Sequence, residues 1–124
     1  MKLSIIIPVY NEEDTLRKKC SFLQGLKTEL AAELIIIDGK SDDNTFDVAI
    51  TLTKNIYQCD KSRSNQLNIG AEYATGKILI FLHVDTYLNK KAVNGILNLT
   101  DKFKWGFFNI KLDSEELKYK TLSY

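Results

Sequence analysis

The stretch Leu3–Val9, LSIIIPV, decides the fold. Its apolar side chains fall on odd and even positions alike, so a strand built from it buries both faces. Strands covered on both sides belong to sheets flanked by helices, where parallel neighbours are joined by helical crossovers. Two further runs share the pattern: Leu34–Ile37 in ELIIIDG and Ile78–Leu82 in ILIFLHVDT. A weaker strand is expected in IYQCD, residues 56–60.

The segments between these runs have helical spacing. In NEEDTLRKKCSFLQGL (11–26), Leu16, Cys20 and Leu23 recur at i, i+4 and i+7; Asn11 is expected as the N-cap and Gly25 near the helix end. KSDDNT (40–45) is a turn-and-cap cluster, with Asp42 and Asp43 as capping residues, and Phe46–Leu52 continues as a helix. SRSNQLNIGAEYATG (62–76) predicts a helix with small residues Gly70, Ala71 and Ala74 along one side, closed by Gly76. Beyond HVDTYL, residues 89–102 place Val93, Ile96 and Leu97 at helical spacing. WGFFNIKLD (105–113) alternates like a strand, and SEELKYKTLSY (114–124) is expected to begin a last helix. Strands alternating with helices predict an α/β three-layer sandwich with a mostly parallel central sheet, a single domain over 1–124.

Composition narrows the function. Of 124 residues, 44% are hydrophobic and 27% charged, the balance of a soluble globular protein. A net charge of +1 supplies no field to gather nucleic acid or anionic lipid, so any bound anion must be held by local geometry. Cys20 and Cys59 form no CxxC pair and are expected as free thiols in a reducing compartment. Pro8 and the NEED that follows interrupt the apolar start, which therefore reads as a strand and not a signal peptide. No apolar stretch approaches the ~20 residues of a membrane span. The expectation is a cytoplasmic protein, with peripheral attachment to the inner membrane face left open.

Open α/β sheets bind ligands beyond the carboxyl ends of their strands. Tyr10, Asn11 and Glu12 follow the first strand, Asp38, Gly39 and Ser41 the second, and His83 and Asp85 the fourth. A rim of carboxylates with little basic charge attracts a divalent cation, and the cation in turn holds phosphate oxygens. Asp85, fixed by the strand before it, is the expected metal ligand.

Three blocks, LSIIIPVYNEEDTL, LIIIDGKSDDNT and SRSNQLNIGAEYATGKILIFLHVDT, occur in order with sensible spacing. Together they resemble the nucleotide-binding half of family-2 glycosyltransferases of the GT-A fold. The nearest likeness is to small bacterial members with LHADT in place of an Asp-x-Asp triplet, and WGFFNIKLD resembles the segment that follows there. The resemblance implies transfer of a sugar from a nucleotide-diphosphate donor, UDP- or GDP-linked, to an unknown acceptor. It also implies inversion at the anomeric carbon and dependence on Mg²⁺ or Mn²⁺. Pro8, Val9, Tyr10, Asn11 and Glu12 match the loop that receives base and ribose. Asp38 matches the acid that hydrogen-bonds the base, with Gly39 allowing close backbone approach and Ser41 in the same turn. Arg63 matches an arginine near the diphosphate, Gly70 and Ala71 match the close-packed helix positions, and Asp85 matches the metal-binding acid.

Two departures qualify this. His83 stands where the general pattern has an acid, and it can touch the phosphates or cap the strand. Lys40 replaces a usual glycine. By resemblance an acceptor half with the catalytic base should follow, and no residue here matches that base. Asp113, Glu115 and Glu116 read as strand-end and helix-start acids, and lone Trp105 as a packing residue. The chain is therefore expected to carry the donor half, with a catalytically silent nucleotide- and metal-binding fragment or interaction module as the alternative. An unfinished sheet leaves a homo-oligomer open. A dinucleotide oxidoreductase is disfavoured because the first turn, VYNEED, lacks GxGxxG.

Overall fold

The computed structural model describes residues 3–86, Lys91, Gly95, and the backbone of 106–110 and 117–121. The elements are β1 (Leu3–Val9), α1 (Glu13–Glu29), β2 (Glu33–Asp38), α2 (Thr45–Leu52), β3 (Ile56–Gln58), α3 (Arg63–Tyr73), β4 (Ile78–Phe81), β5 (Gly106–Ile110) and β6 (Leu117–Thr121). The first four strands form a sheet in the order β3-β2-β1-β4, every pair parallel. The expected α/β architecture with helices on both faces is present.

Alternation along the isoleucine runs sorts the core into two layers. Ile5, Ile7 and Val9, with Leu34 and Ile36, face Leu16, Leu23 and Leu26 of α1 and Val48, Ala49 and Leu52 of α2. Ile6, Ile35 and Ile37 face the other way, against Leu67, Ile69 and Ala71 of α3. The three isoleucines of β1 are fully buried, each worth about 1.5–3 kcal/mol relative to exposure. Gly70 explains how closely α3 sits: a Cβ there would lie 2.3 Å from Cγ2 of Ile6.

Pro8 is unusual in a central strand because it cannot donate to a ladder. The register accounts for it. Pairing of β1 with β4 runs from Leu3↔Ile78 to Ile6↔Phe81 and closes with the Leu82 amide donating to the Ile6 carbonyl at 2.9 Å. Pairing with β2 continues to Val9↔Asp38. Polar groups of even-numbered β1 residues point toward β4, so position 8 faces a notch where β4 has already ended. No ladder donor is needed there.

Several expected boundaries differ. Asn11 does not cap α1: it takes φ 47°, and Glu12 is the N-cap without a side-chain bond to the helix. Gly25 does not end α1, which continues to Glu29. A glycine with open space around it merely weakens a helix interior. The terminator is Ala31 at φ 48°, with the Ala32 amide bonded to the Lys27 carbonyl and the Ala31 amide to that of Thr28. This is a Schellman turn carrying alanine where glycine is favoured. Ala31→Gly is expected to stabilise the fold by about 0.5–1 kcal/mol, the left-handed penalty removed less the added freedom of the unfolded chain. Urea unfolding with an unchanged slope would measure it; a loss of stability would contradict the Schellman assignment.

α3 likewise stops at Tyr73, three residues before Gly76. The expected last helix is corrected to a strand: Leu117–Thr121 pairs antiparallel with Gly106–Ile110, Phe108 opposite Tyr119. LKYKT alternates with period two, and a short segment beside a strand partner satisfies its backbone across the ladder more readily than in an isolated helical turn. The helix expected over 89–102 lies outside the described residues, save Lys91 and Gly95.

Candidate functional site

In a sheet of order 3-2-1-4 the crossovers on the two sides of β1 run in opposite directions. A crevice opens beyond the carboxyl ends of β1 and β4. A cavity of about 110 Å³ sits there, lined by Pro8, Val9, Tyr10, Glu12, Arg63, Gln66 and His83. Small-molecule sites usually measure ~300 Å³ or more, so this cavity admits part of a ligand and leaves the rest in the open crevice. Of the residues singled out from the sequence, Pro8, Val9, Tyr10, Glu12, Arg63 and His83 line this cavity, and Asn11, Asp38, Gly39, Ser41 and Asp85 do not.

Each arrives by a local cause. Arg63 is the first residue of α3, whose Ser62 N-cap accepts from the Asn65 amide. Tyr10 follows the end of β1, and the Lys61 ammonium lies 4.1 Å from its ring centroid, a cation–π contact. His83 and Asp85 follow β4, where the imidazole Nδ1 and Asp85 Oδ1 are 2.5 Å apart. Both side chains remain substantially exposed, 41% and 48%. His83 therefore contacts Asp85 and the cavity at once.

Asp38, Gly39 and Ser41 lie one strand over, in a network of their own. The fully buried Asp38 carboxylate accepts from the amide and hydroxyl of Ser41 and from Gln58 Nε2 at 3.0 Å. Ser41 Oγ accepts the Asn11 amide at 2.8 Å, and Asn11 Oδ1 accepts the Asp42 amide at 2.7 Å. Asn11 thus laces the two loops together. Asp43, not Asp42, serves the start of α2, accepting from the Thr45 amide at 2.9 Å. Close approach at Gly39 is to Lys61 Cα and the Gln66 amide, 3.2 and 3.3 Å from where a Cβ would stand. Lys40 takes φ 60°, in the left-handed region that favours glycine.

Electrostatics centre on Glu12. Burial pushes its carboxyl above the ordinary 4.5, and repulsion from Asp85 adds to this; the Tyr10 amide, His83 and Arg63 pull the other way. A raised carboxyl favours the folded state while protonated, so that stability is present below pH 4.5 and lost as pH rises through the folded value. Glu12→Gln keeps an acceptor for the Tyr10 amide, 3.1 Å away in the parent. It is expected to raise the melting temperature at pH 7–8 by a few degrees at most, with the difference vanishing below pH 4.5. Thermal melts across pH 4–8 would check it; an equal gain at every pH would remove the electrostatic cause.

Among the described residues no three or more His, Cys, Asp or Glu converge to hold a metal ion. A closed, all-protein metal centre is thereby absent from them. Glu12 lines the cavity and Asp85 bonds to His83 beside it, so a cation there would have these two carboxylates at most, with phosphate and water completing its shell. Asp113, Glu115, Glu116 and Trp105 lie outside the residues whose side chains are described.

Three side chains at the site were not anticipated, Gln58, Lys61 and Gln66. Gln58 ends a strand too weak to be assigned a role. Gln66 carried a signal, since it precedes Gly70 by four residues and shares its sheet-facing side.

The parallel order, the switch point and the polar strand ends define an α/β domain with a crevice beyond the carboxyl ends of β1 and β4. Residues 4–107 match the family model "Glycosyl transferase family 2", and the chain belongs to that family. It is 37% identical over 90 residues to the uncharacterized glycosyltransferase YibD of Escherichia coli K12, covering 68% of this chain and 26% of that protein. It is 31% identical over 119 residues to a probable glycosyltransferase of Sulfolobus acidocaldarius, covering 82% and 24%. The crystal structure of Staphylococcus aureus TarS superposes with a TM-score of 0.66 at 24% identity, over 82% of this chain and 20% of that one, a likeness of fold. The chain spans about a quarter of the length of the relatives it matches. No helix among the described residues is long and apolar enough to cross a membrane.

Proposed function

We propose that this chain binds the donor of an inverting, metal-dependent glycosyltransferase that uses a nucleotide-diphosphate sugar, in the subgroup bearing LHADT. The observation that carries it is the gathering of Glu12, Arg63 and His83 around one cavity at the β1–β4 switch point, with Asp85 bonded to His83. Arg63 presents a guanidinium fork suited to diphosphate oxygens. Tyr10 offers an aromatic face to the base, and Lys61 adds positive charge beside it. Asp38 is fully buried and already accepts from Ser41 and Gln58, so it shapes the neighbouring loop and does not line the cavity. Asp85, with Glu12, would hold a divalent ion, which when bound neutralises charge on the departing nucleoside diphosphate. His83 orients Asp85 through their shared hydrogen bond.

The test is calorimetric titration of UDP and GDP into the chain, each with and without Mn²⁺ or Mg²⁺. Binding of one nucleotide that strengthens with metal is expected. Absence of binding by both nucleotides under every condition would overturn the donor-site assignment.

A further inference from the structure

We infer that Gln66 is the positioning residue that holds the two donor-binding loops at a fixed spacing. The inference rests on the donor-site reading above for what those loops bind, and on geometry alone for how they are held.

β1 and β2 pair up to Val9↔Asp38, and beyond that register the chains diverge into their loops. At this last rung each carbonyl has two lone pairs and the ladder uses only one of them. Gln66 engages the second from outside the sheet. Its side-chain amide nitrogen donates to the Val9 carbonyl at 3.0 Å and to the Ile37 carbonyl at 2.9 Å. One NH₂ group thus grips one carbonyl from each strand, at the last turn before Tyr10–Glu12 on one side and Asp38–Ser41 on the other. The Val9 carbonyl also accepts the Gly39 amide at 2.9 Å, so three segments meet at one oxygen.

The chemistry selects glutamine. An ionised glutamate would set a carboxylate against two carbonyl oxygens, asparagine is one methylene shorter, and methionine or leucine has no proton to give. Gln66 is 4% exposed, its α3 is held down by the Gly70 contact four residues on, and a Cβ on Gly39 would come within 3.3 Å of its amide. The side chain has little freedom to relax, so its two bonds transmit the height of α3 to both loops. It also lines the cavity beside Arg63 and His83. Loop spacing and cavity width are therefore set by the same group.

The test is Gln66→Met, close in volume and unable to donate, compared with Ile36→Val, which trims the opposite face of the sheet. Hydrogen exchange at the amides of Gly39, Ser41 and Asn11 is read first, because it needs no ligand. Gln66→Met is expected to speed exchange at these loop amides at least tenfold while leaving α2 unchanged, whereas Ile36→Val affects the loops no more than the rest of the sheet. Well below the melting temperature, nucleotide affinity with Mn²⁺ should fall about tenfold or more in Gln66→Met and stay within twofold in Ile36→Val. Unchanged loop exchange in Gln66→Met, or exchange raised uniformly as in Ile36→Val, overturns the inference. If the parent chain binds no nucleotide, the donor-site reading falls while the exchange result still decides the role of Gln66. If exchange quickens but affinity holds, loop spacing does not govern binding and the positioning role is refuted.

Discussion

Asp85→Ala is expected to make nucleotide titrations indifferent to Mn²⁺ and Mg²⁺, where the parent chain should gain about tenfold or more in affinity from the metal, ~1.4 kcal/mol or above. No group of three or more potential protein ligands converges among the described residues, so a hard cation has to rely on one or two carboxylates and the ligand's own phosphates. Removing one of two carboxylates removes much of the protein's hold. Glu12 remains, but its carboxyl is raised by burial and turned to the Tyr10 amide, which leaves it a weaker ligand by itself. Metal-free nucleotide affinity should survive, because Arg63, Tyr10 and the Asp38 network are untouched. The Asp85 side chain is 48% exposed, so stability should change by about 0.5 kcal/mol or less. A variant that keeps the full metal enhancement would assign the ion to another group. A variant that loses metal-free binding as well would mean that Asp85 orders His83 and the cavity.

The second large effect is on folding. Gly70→Val is expected to cost about 3 kcal/mol or more, a large share of the 5–15 kcal/mol typical of a domain. A Cβ at position 70 would stand 2.3 Å from Ile6 Cγ2 and 3.4 Å from Ile37 Cγ1, both fully buried on the α3 face. Ile6 is β-branched and pinned in the central strand, so it cannot swing clear, and α3 must move outward. Gly70→Ala should be milder, because alanine regains about 1 kcal/mol of helix propensity against an overpacking cost of about 1–3 kcal/mol. Coupling with Ile6→Ala identifies the cause. That change removes the offending methyl, so the double variant Gly70→Ala with Ile6→Ala should be more stable than the sum of the single effects predicts. Denaturant melts of the four proteins measure it, and additive costs would exclude the contact as the source.

The outcome at particular residues separates what local sequence encodes from what packing decides. LSIIIPV, LIII and ILIFL state their own environment: apolar side chains at every position have one stable placement, the middle of a covered sheet. The helix bodies are legible for a related reason, since Leu16, Leu23 and Leu26 recur with the helical period and need a single burying face. Caps and ends were less legible. Asn11, Gly25 and Gly76 have the right chemistry for helix boundaries, yet Asn11 is drawn into bonds with Ser41 and Asp42 some thirty residues away. α1 ends at Glu29 because the turn into β2 places Ala31 in the left-handed region. The reversal of 117–121 from helix to strand has the same origin, a partner strand that a local window does not contain.

The sequence by itself determined that this protein is an α/β domain with acids and amides at its strand ends, because alternation and apolar runs act within a few residues of themselves. It also carried the family, through three blocks in order. Only the tertiary structure decided that β4 ends three residues before β1, which opens the notch at Pro8. It likewise brought Glu12, Arg63 and His83 to one cavity, and the Gln66 amide to carbonyls of both β1 and β2. These depend on strand register and helix height, which are set by contacts between residues far apart in the chain.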